Sequence, residues 1–357
     1  MLIGRTPVRI SFGGGGTDLP SYYEKYGGAV FSAAINKYFY TILTERDDSY
    51  IQVISSDLQK MAEVDDIDFK SKDLSEHELD IPFAVLKYFQ FHKGVNLFLA
   101  SEVLPGTGLG SSASVCVNIV KLISQFLDKS LSRYDVAETA FHIATKMLNR
   151  PVGKQDEYAA AFGGLNYIKF EPSGYTSVEP IKVDSESIMA LEKSILLFFT
   201  GSSHNSTEIL SVQKNSSEKG EKATIESLTQ LKELVFPMKE AIEKGNLDEF
   251  GRLLDEGWQF KKRISNKISN SHIDELYDLA KKNGALGGKI TGAGGGGFLM
   301  LYCPPKNQAE LRKAMLQNGI KEMSFRFDFQ GSQIVYDDPF FGSSGRGSML
   351  WRLTRVP

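Results

Sequence analysis

Residues 105–113 read Pro-Gly-Thr-Gly-Leu-Gly-Ser-Ser-Ala and run straight into an amphipathic stretch. There, Cys116, Ile119, Val120, Ile123, Phe126 and Leu127 recur at three- and four-residue steps, the pattern of a helix with one apolar face. Before it, Val95, Leu97 and Leu99 alternate as in a strand. Strand, glycine loop and helix in that order admit few folds. Glycines let the backbone turn tightly and bring successive N–H groups close to an anion. The N-terminus of the following helix aims unpaired N–H groups and a positive dipole end at the same place. Ser111 and Ser112 add hydroxyls suited to a phosphate or a metal-bound water. The same residues also suit a turn with serine N-caps and no ligand.

Two more glycine clusters flank this one. Gly13 to Gly16 follow Val8, Ile10 and Phe12, which alternate with Arg9 and Ser11, and precede Thr17-Asp18. Four glycines cannot fill a core, so this is either a backbone approached closely or a hairpin loop. Residues 289–297 (KITGAGGGG) satisfy G-x-G-x-x-G at Gly292, Gly294 and Gly297. A dinucleotide fingerprint must run from strand through glycines to helix, whereas these glycines run into the strand-like 298–302 (FLMLY). A Walker A loop ending at Lys289 would need glycine at 283 and Ser or Thr at 290, where the chain has Asn283 and Ile290. What remains is a long loop suited to a ligand or to a tight crossing with another backbone.

Gly153-Lys154-Gln155-Asp156 carries a carboxylate able to take a proton from a hydroxyl. Lys154 is a cation suited to that carboxylate or to a phosphate. Solvated loop charges have the same look. His77, His92, His142, His204 and His272 show no metal-ligand spacing, and no Ser-His-Asp order supports a hydrolase.

A length of 357 residues fits about two domains. The net charge of −3 argues against a nucleic-acid partner. Two cysteines, Cys116 and Cys303, are too few for a disulfide framework and suggest a cytoplasmic setting. The first residues show no secretory h-region, and no apolar run approaches 18 residues, so no membrane association is expected. Strands are expected near 8–12, 29–44, 50–54, 95–99, 194–200 and 298–302, and helices over 82–93, 111–127, 134–148, 223–244, 247–263 and 272–283. The polar run 213–222 (QKNSSEKGEK) reads as an exposed connection, and 342–348 (GSSGRGS) as a flexible linker within a tail.

In this order, the three clusters resemble the GHMP kinase family. Pro7-Val8-Arg9 matches its N-terminal P-x-R segment, Pro105 to Ala113 its P-x-x-x-G-L-G-S-S-A motif with one residue fewer after the proline, and Gly292 to Gly297 its C-terminal G-A-G-G-G segment. The resemblance covers roughly residues 1–337. Within the family, 11–20 (SFGGGGTDLP) and 151–164 (PVGKQDEYAAAFGG) look most like the heptose kinase branch, with 199–206 (FTGSSHNS) a looser match.

That resemblance implies an α/β (α+β) fold of two domains. Residues 1–185 would form one similar to domain 2 of ribosomal protein S5, residues 186–337 a ferredoxin-like one, and 338–357 a tail. It implies an ATP-dependent kinase with Mg²⁺, acting on a sugar or sugar phosphate as a monomer or homodimer. Asp156 and Arg9 would be the catalytic residues. Pro105, Gly106, Thr107, Gly108, Leu109, Gly110, Ser111, Ser112 and Ala113 would cradle ATP, with Ser112 on the metal. Gly16, Thr17, Asp18, Lys154, Gly294 and Gly295 would meet the substrate. Many members carry a metal-binding Glu 10 or 11 residues before the aspartate, where this chain has Lys146 and Thr145. Glu138 and Glu157 are the substitutes on offer. Should the substrate carry a second phosphate, Lys37, Arg150 and Lys154 are the candidate cations. A kinase for another sugar, such as fucose or galactose, or for a non-sugar alcohol, and a non-catalytic ATP and sugar sensor are the alternatives.

Overall fold

The computed structural model describes residues 1–65, 78–91, 93–201 and 206–338. The expected tail beyond 338, and His77, His92 and His204, lie outside the described residues.

The first sheet has eight strands: β1 (Leu2–Gly13), β2 (Gly28–Glu45), β3 (Ile51–Ser55), β4 (Lys60–Val64), β5 (Val95–Ser101), β6 (Leu165–Phe170), β7 (Thr176–Pro180) and, from the far end of the chain, β12 (Gln333–Asp337). β2 is 18 residues long and splits its pairing. Its start pairs with β6, its end with β5, and β1 runs antiparallel beside both stretches. β12 closes the outer side of β1, with Leu2 opposite Asp337. The second sheet is small and antiparallel, in the order β11 (Lys321–Met323), β8 (Ile195–Phe199), β10 (Phe298–Tyr302), β9 (Gly287–Ile290).

The helices are α1 (Pro20–Tyr26), α2 (Asp80–Tyr88), α3 (Ser111–Phe126), α4 (Arg133–His142), α5 (Gln155–Phe162), α6 (Ser185–Ser194), α7 (Ser206–Glu218), α8 (Lys222–Glu233), α9 (Val235–Glu243), α10 (Leu247–Lys262), α11 (Ser271–Lys282) and α12 (Gln308–Gln317). Alternation along the strands sorts their apolar side chains into separate cores. Leu97, Leu99 and Phe39 pack under Val117, Val120 and Ile123 of α3. Val8, Ile10, Phe12 and Phe31 of the first sheet meet Leu197 and Met300 of the second, with Phe250 and Leu254 of α10, so one apolar layer joins the sheets. The other face of the small sheet, with Ile290, Leu299 and Leu301, is covered by Trp258, Leu276 and Tyr277.

Several expectations change in detail. The segment 213–222 is not an exposed connection. Its first part is the end of α7, where Gln213 and Ser217 are buried and Gln213 bonds to Gly16 and Lys261 across the molecule. The helix over 223–244 is two, α8 and α9, broken near Leu234. The helix over 134–148 ends as α4 at His142 and continues as a π turn, Ile143–Met147. Lys289 is not a loop residue but the third position of β9.

Candidate active site

A cleft opens where β1, α3 and α5 meet the Gly13–Gly16 loop and the end of α10. Arg9, Gly16, Asp18, Gly108, Ser112, Asp156, Glu157 and Lys261 are among its walls.

At its centre is an ion pair between residues 147 positions apart. Arg9 comes from β1 and Asp156 from the first turn of α5. Arg9 Nε donates to Asp156 Oδ1 at 2.7 Å and Nη2 to Oδ2 at 2.6 Å, a two-pronged fork that fixes the carboxylate plane. Nη1 donates to the Gly108 carbonyl at 2.7 Å, tying the same guanidinium to the glycine loop. Ser11 donates to Gln155 Oε1 at 2.8 Å, which turns the Gln155 amide so that its Nε2 donates to Asp156 Oδ1 at 3.2 Å. Asp156 keeps 30 % of its side chain exposed and so stays open to the cleft, while Arg9 is buried behind it.

A glycine loop leads straight into α3, the form that the sequence suggested. Gly110 is left-handed at the N-cap of α3, with no side-chain cap, so Ser111 and Ser112 sit inside the first turn rather than capping it. The helix thus presents first-turn N–H groups that no capping side chain occupies. Ser114, a turn later, donates to Pro7 O at 2.9 Å and pins the helix to β1. Gly106, Gly108, Gly110, Ser111, Ser112 and Ala113 face the cleft. The other residues of the motif stand behind it: Leu109 is wholly buried, with its carbonyl accepting from Arg9 N, and Thr107 is buried under the second glycine loop. Pro105 is exposed outside the cleft walls.

The C-terminal glycine loop crosses the first backbone to backbone. A Cβ on Gly108 would stand 2.4 Å from Thr291 O, and one on Gly292 2.8 Å from the Gly108 Cα, with both residues at positive φ. No other residue fits this crossing. Gly292 and Ala293 reach the cleft wall. Gly294 and Gly295, expected on the substrate, do not: Gly295 N donates to Ile268 O at 2.7 Å, and Gly294 packs against Ile268.

Asp18 lies beside the central pair. Its carboxylate accepts from Gly16 N at 2.8 Å and from Gln155 N at 3.2 Å, and burial, then the nearby Asp156 charge, pushes its pKa up. A Cβ at Gly153 would fall 2.1 Å from Asp18 Oδ2, which explains the glycine there. Thr17 is turned inward. Its hydroxyl accepts from Ala29 N and lies 2.8 Å from Gly14 O, so it shapes the loop and does not face the cleft.

Of the cations named from sequence, two are committed elsewhere. Lys154 is 4 % exposed and points away from the cleft, donating to Glu138 Oε1 at 2.7 Å and Gly174 O at 2.8 Å. Arg150 is on the cleft wall but grips both oxygens of Asp80, at 2.7 and 2.8 Å. Lys261, not singled out from sequence, lines the cleft instead, and Lys289 lies outside its walls but within range of its charges. Lys261, on the last turn of α10, donates to Gly15 O at 3.2 Å and Gln213 Oε1 at 3.3 Å. Lys289, on β9, lies close enough to Lys261, Arg9 and Asp18 to feel their charges. Periodicity could have flagged Lys289, which stands in a strand otherwise made of Gly and Ile.

Mg²⁺ can be tested against the donors. Thr145 turns its hydroxyl to Phe141 O within the π turn, and Glu138 is held by Lys154 and Tyr158. Glu157 is different. It is 2 % exposed, lines the cleft with Ser112, and has a buried Oε2 with no hydrogen-bond partner. Burial, then the neighbouring Asp156, pushes its pKa well up. An orphaned carboxyl oxygen and a serine hydroxyl in one cleft fit a hard cation that keeps several waters.

Comparison with known proteins agrees with this geometry. The models of the GHMP kinase N-terminal domain and of the GHMP kinase C-terminal region match residues 80–164 and 238–321. The chain is 31 % identical over 332 residues to a D-glycero-alpha-D-manno-heptose 7-phosphate kinase of Campylobacter jejuni, covering 92 % of this chain and 96 % of that one. Its fold is similar to a crystal structure described as a D-glycero-D-manno-heptose 1-phosphate kinase from Bacteroides thetaiotaomicron (TM-score 0.76, 28 % identity, 95 % of this chain and 100 % of that one). It is also similar to a putative sugar kinase from Campylobacter jejuni (TM-score 0.75, 30 % identity, 93 % and 97 %). With an arginine-held aspartate set between an uncapped helix N-terminus and two crossed glycine loops, the chain belongs to the GHMP kinase family and is a phosphotransferase.

Proposed function

We propose that the protein transfers the γ-phosphoryl group of Mg-ATP to the anomeric hydroxyl of D-glycero-D-manno-heptose 7-phosphate, giving the 1,7-bisphosphate. The observation that carries this reading is the Asp156 carboxylate, clamped by Arg9 yet open to the cleft and set against the loop at the α3 N-terminus: a Cβ on Gly110 would lie 3.1 Å from Asp156 Oδ2. The acceptor is carried over from the C. jejuni relative's name and its near full-length match.

In phosphoryl transfer the protein mainly positions the reactants and stabilises charge. The first-turn N–H groups of α3 and the Gly106–Gly110 loop would hold the triphosphate. Asp18 and the Gly16 backbone would hold sugar hydroxyls beside Asp156. As O1 attacks, its proton passes to Asp156, the O1–P bond forms, and the bond from the γ-phosphorus to the β,γ-bridging oxygen breaks to release ADP. An anomeric hydroxyl is more acidic than an ordinary alcohol, so an arginine-bound carboxylate is a sufficient base. All three guanidinium nitrogens of Arg9 are held by protein acceptors. Its part is to hold Asp156 and the glycine loop in register, with its charge at the transfer point. Ser112 and Glu157 would hold Mg²⁺, which supplies charge neutralisation on the phosphates when bound.

ADP release should be measured across heptose 7-phosphate, heptose 1-phosphate, unphosphorylated heptose, fucose, galactose and mevalonate, with an Asp156→Asn variant alongside. Turnover should be confined to heptose 7-phosphate, since heptose 1-phosphate has no free anomeric hydroxyl, and Asp156→Asn should lower kcat by about 10²–10⁴-fold. Undiminished kcat in that variant would sink the base assignment, and a preference for a neutral sugar would sink the acceptor.

A further inference from the structure

Lys261 lines the cleft, and Lys289 lies close enough to feel its charges. Lys261 and Lys289 are 4 % and 6 % exposed. Neither ammonium has a carboxylate at salt-bridge distance among the described residues. Lys261 donates only to a backbone carbonyl and an amide oxygen. The Lys289 ammonium has no hydrogen-bond partner among the described residues. The third cation here, Arg9, is already paired with Asp156. The remaining acids are Asp18, whose oxygens accept from Gly16 and Gln155, and Glu157, and burial pushes the pKa of both up. A buried cation with no counter-ion is costly, so evolution retains one where a ligand completes it.

Contacts order this charge relative to the transfer point. Gly110 adjoins Asp156 on one side. On the other come Gln155 and Asp18, then Gly16, whose carbonyl accepts from Gln213 Nε2, and then Lys261 on the same Gln213. Lys261 therefore belongs to the Gly13–Gly16 side, away from the helix N-terminus that suits the triphosphate, and Lys289 lies within range of its charge.

We infer that Lys289 and Lys261 together form the seat of a phosphate carried by the acceptor, and so select a sugar phosphate over a neutral sugar. This rests on the acceptor side of the proposed reaction. Burial, partly offset by the charge of Asp18, lowers Lys261 to about 8, and burial with the charges of Lys261 and Arg9 lowers Lys289 to about 7. A dianion between them would restore both to the charged state. The two heptose kinases to which the chain is similar each carry a phosphorylated heptose in their names.

The test compares KM and kcat for heptose 7-phosphate and for the same heptose without phosphate, in the full chain and in Lys289→Met, Lys261→Met and Lys289→Arg. Binding of inorganic phosphate by calorimetry is measured in parallel. The two Met variants should each raise KM for the phosphorylated sugar about 10–100-fold, the worth of a charge-assisted hydrogen bond. They should shrink the preference over neutral heptose by the same factor and hold KM for ATP, and Lys289→Arg should recover part of the preference. An unchanged preference in both Met variants overturns the inference. So does a kcat loss equal for the two sugars, which would place the lysines on the transferring phosphoryl. If the unaltered protein turns over no heptose phosphate but binds inorganic phosphate through Lys289, the acceptor identity fails and the anion seat stands. If it binds none, the seat fails whatever the acceptor.

Discussion

Lys154 and Lys289 are buried to nearly the same depth, 4 % and 6 % exposed, and live in opposite electrostatic surroundings. Lys154 has Glu138, the Gly174 carbonyl and the Thr176 hydroxyl around its ammonium, and the rings of Tyr23 and Phe141 beneath it. Glu138 is in turn held by the Tyr158 hydroxyl at 2.5 Å. Every partner is protein, so this lysine is a structural post that ties α5 to α4 and β7. Lys289 meets two other cations and a carboxyl shared with backbone N–H groups. Burial shows that a charge is used; only its partner set shows whether fold or ligand uses it.

Three experiments break or sharpen the contrast. The largest effect should come from Glu138→Ala, which strands Lys154 without its counter-charge. A loss of about 3–5 kcal/mol in unfolding free energy is expected by denaturant titration. A loss below about 1 kcal/mol would mean that Lys154 is not held by charge.

Lys289→Met should act in the opposite sense. The folded-state pKa of about 7 lies below the usual lysine value, so the unfolded chain binds more protons between the two. The strain from the buried charge is fully present below about pH 7 and is relieved as pH rises from there toward the ordinary lysine range. The melting temperature of the ligand-free protein, taken as the difference from Lys289→Met, should therefore climb from pH 7 to pH 10. A flat difference would show that Lys289 has a counter-charge after all. The smallest effect belongs to Lys37, the half-buried cation of β2 named beside Lys154 from sequence. Lys37→Ala should move stability by less than about 0.5 kcal/mol and leave the sugar-phosphate KM unchanged. A tenfold rise in that KM would transfer the anion seat to β2.

The legible and illegible parts of the site divide along the same line. Val8, Ile10 and Phe12 announced β1, and Gly106 to Ala113 announced the loop and α3, because local backbone needs leave a mark in composition. Arg9 and Asp156 were each legible from a motif, although their fork is a tertiary fact. Lys261 was hidden among Lys261, Lys262 and Arg263 at a helix end, where basic residues are ordinary. Gln213 was hidden in a polar run that reads as a surface. Polar side chains buried to serve a ligand break the rule on which periodicity rests, so the residues that complete the acceptor side are those the pattern assigns to solvent. Lys154 failed in reverse: its place beside Asp156 suggested chemistry, but the first turn of α5 turns it toward Glu138.

The pairing of β1 with β12 has a consequence for biosynthesis. Leu2 to Arg5 find their partners at Gln333 to Asp337, so the strand that carries Arg9 has an open edge until more than 330 residues have left the ribosome. Contacts this distant in sequence close slowly. The nascent chain must keep that edge from pairing with other chains, and a stop codon shortly before residue 333 would leave a product with most of its cleft and a permanently sticky margin.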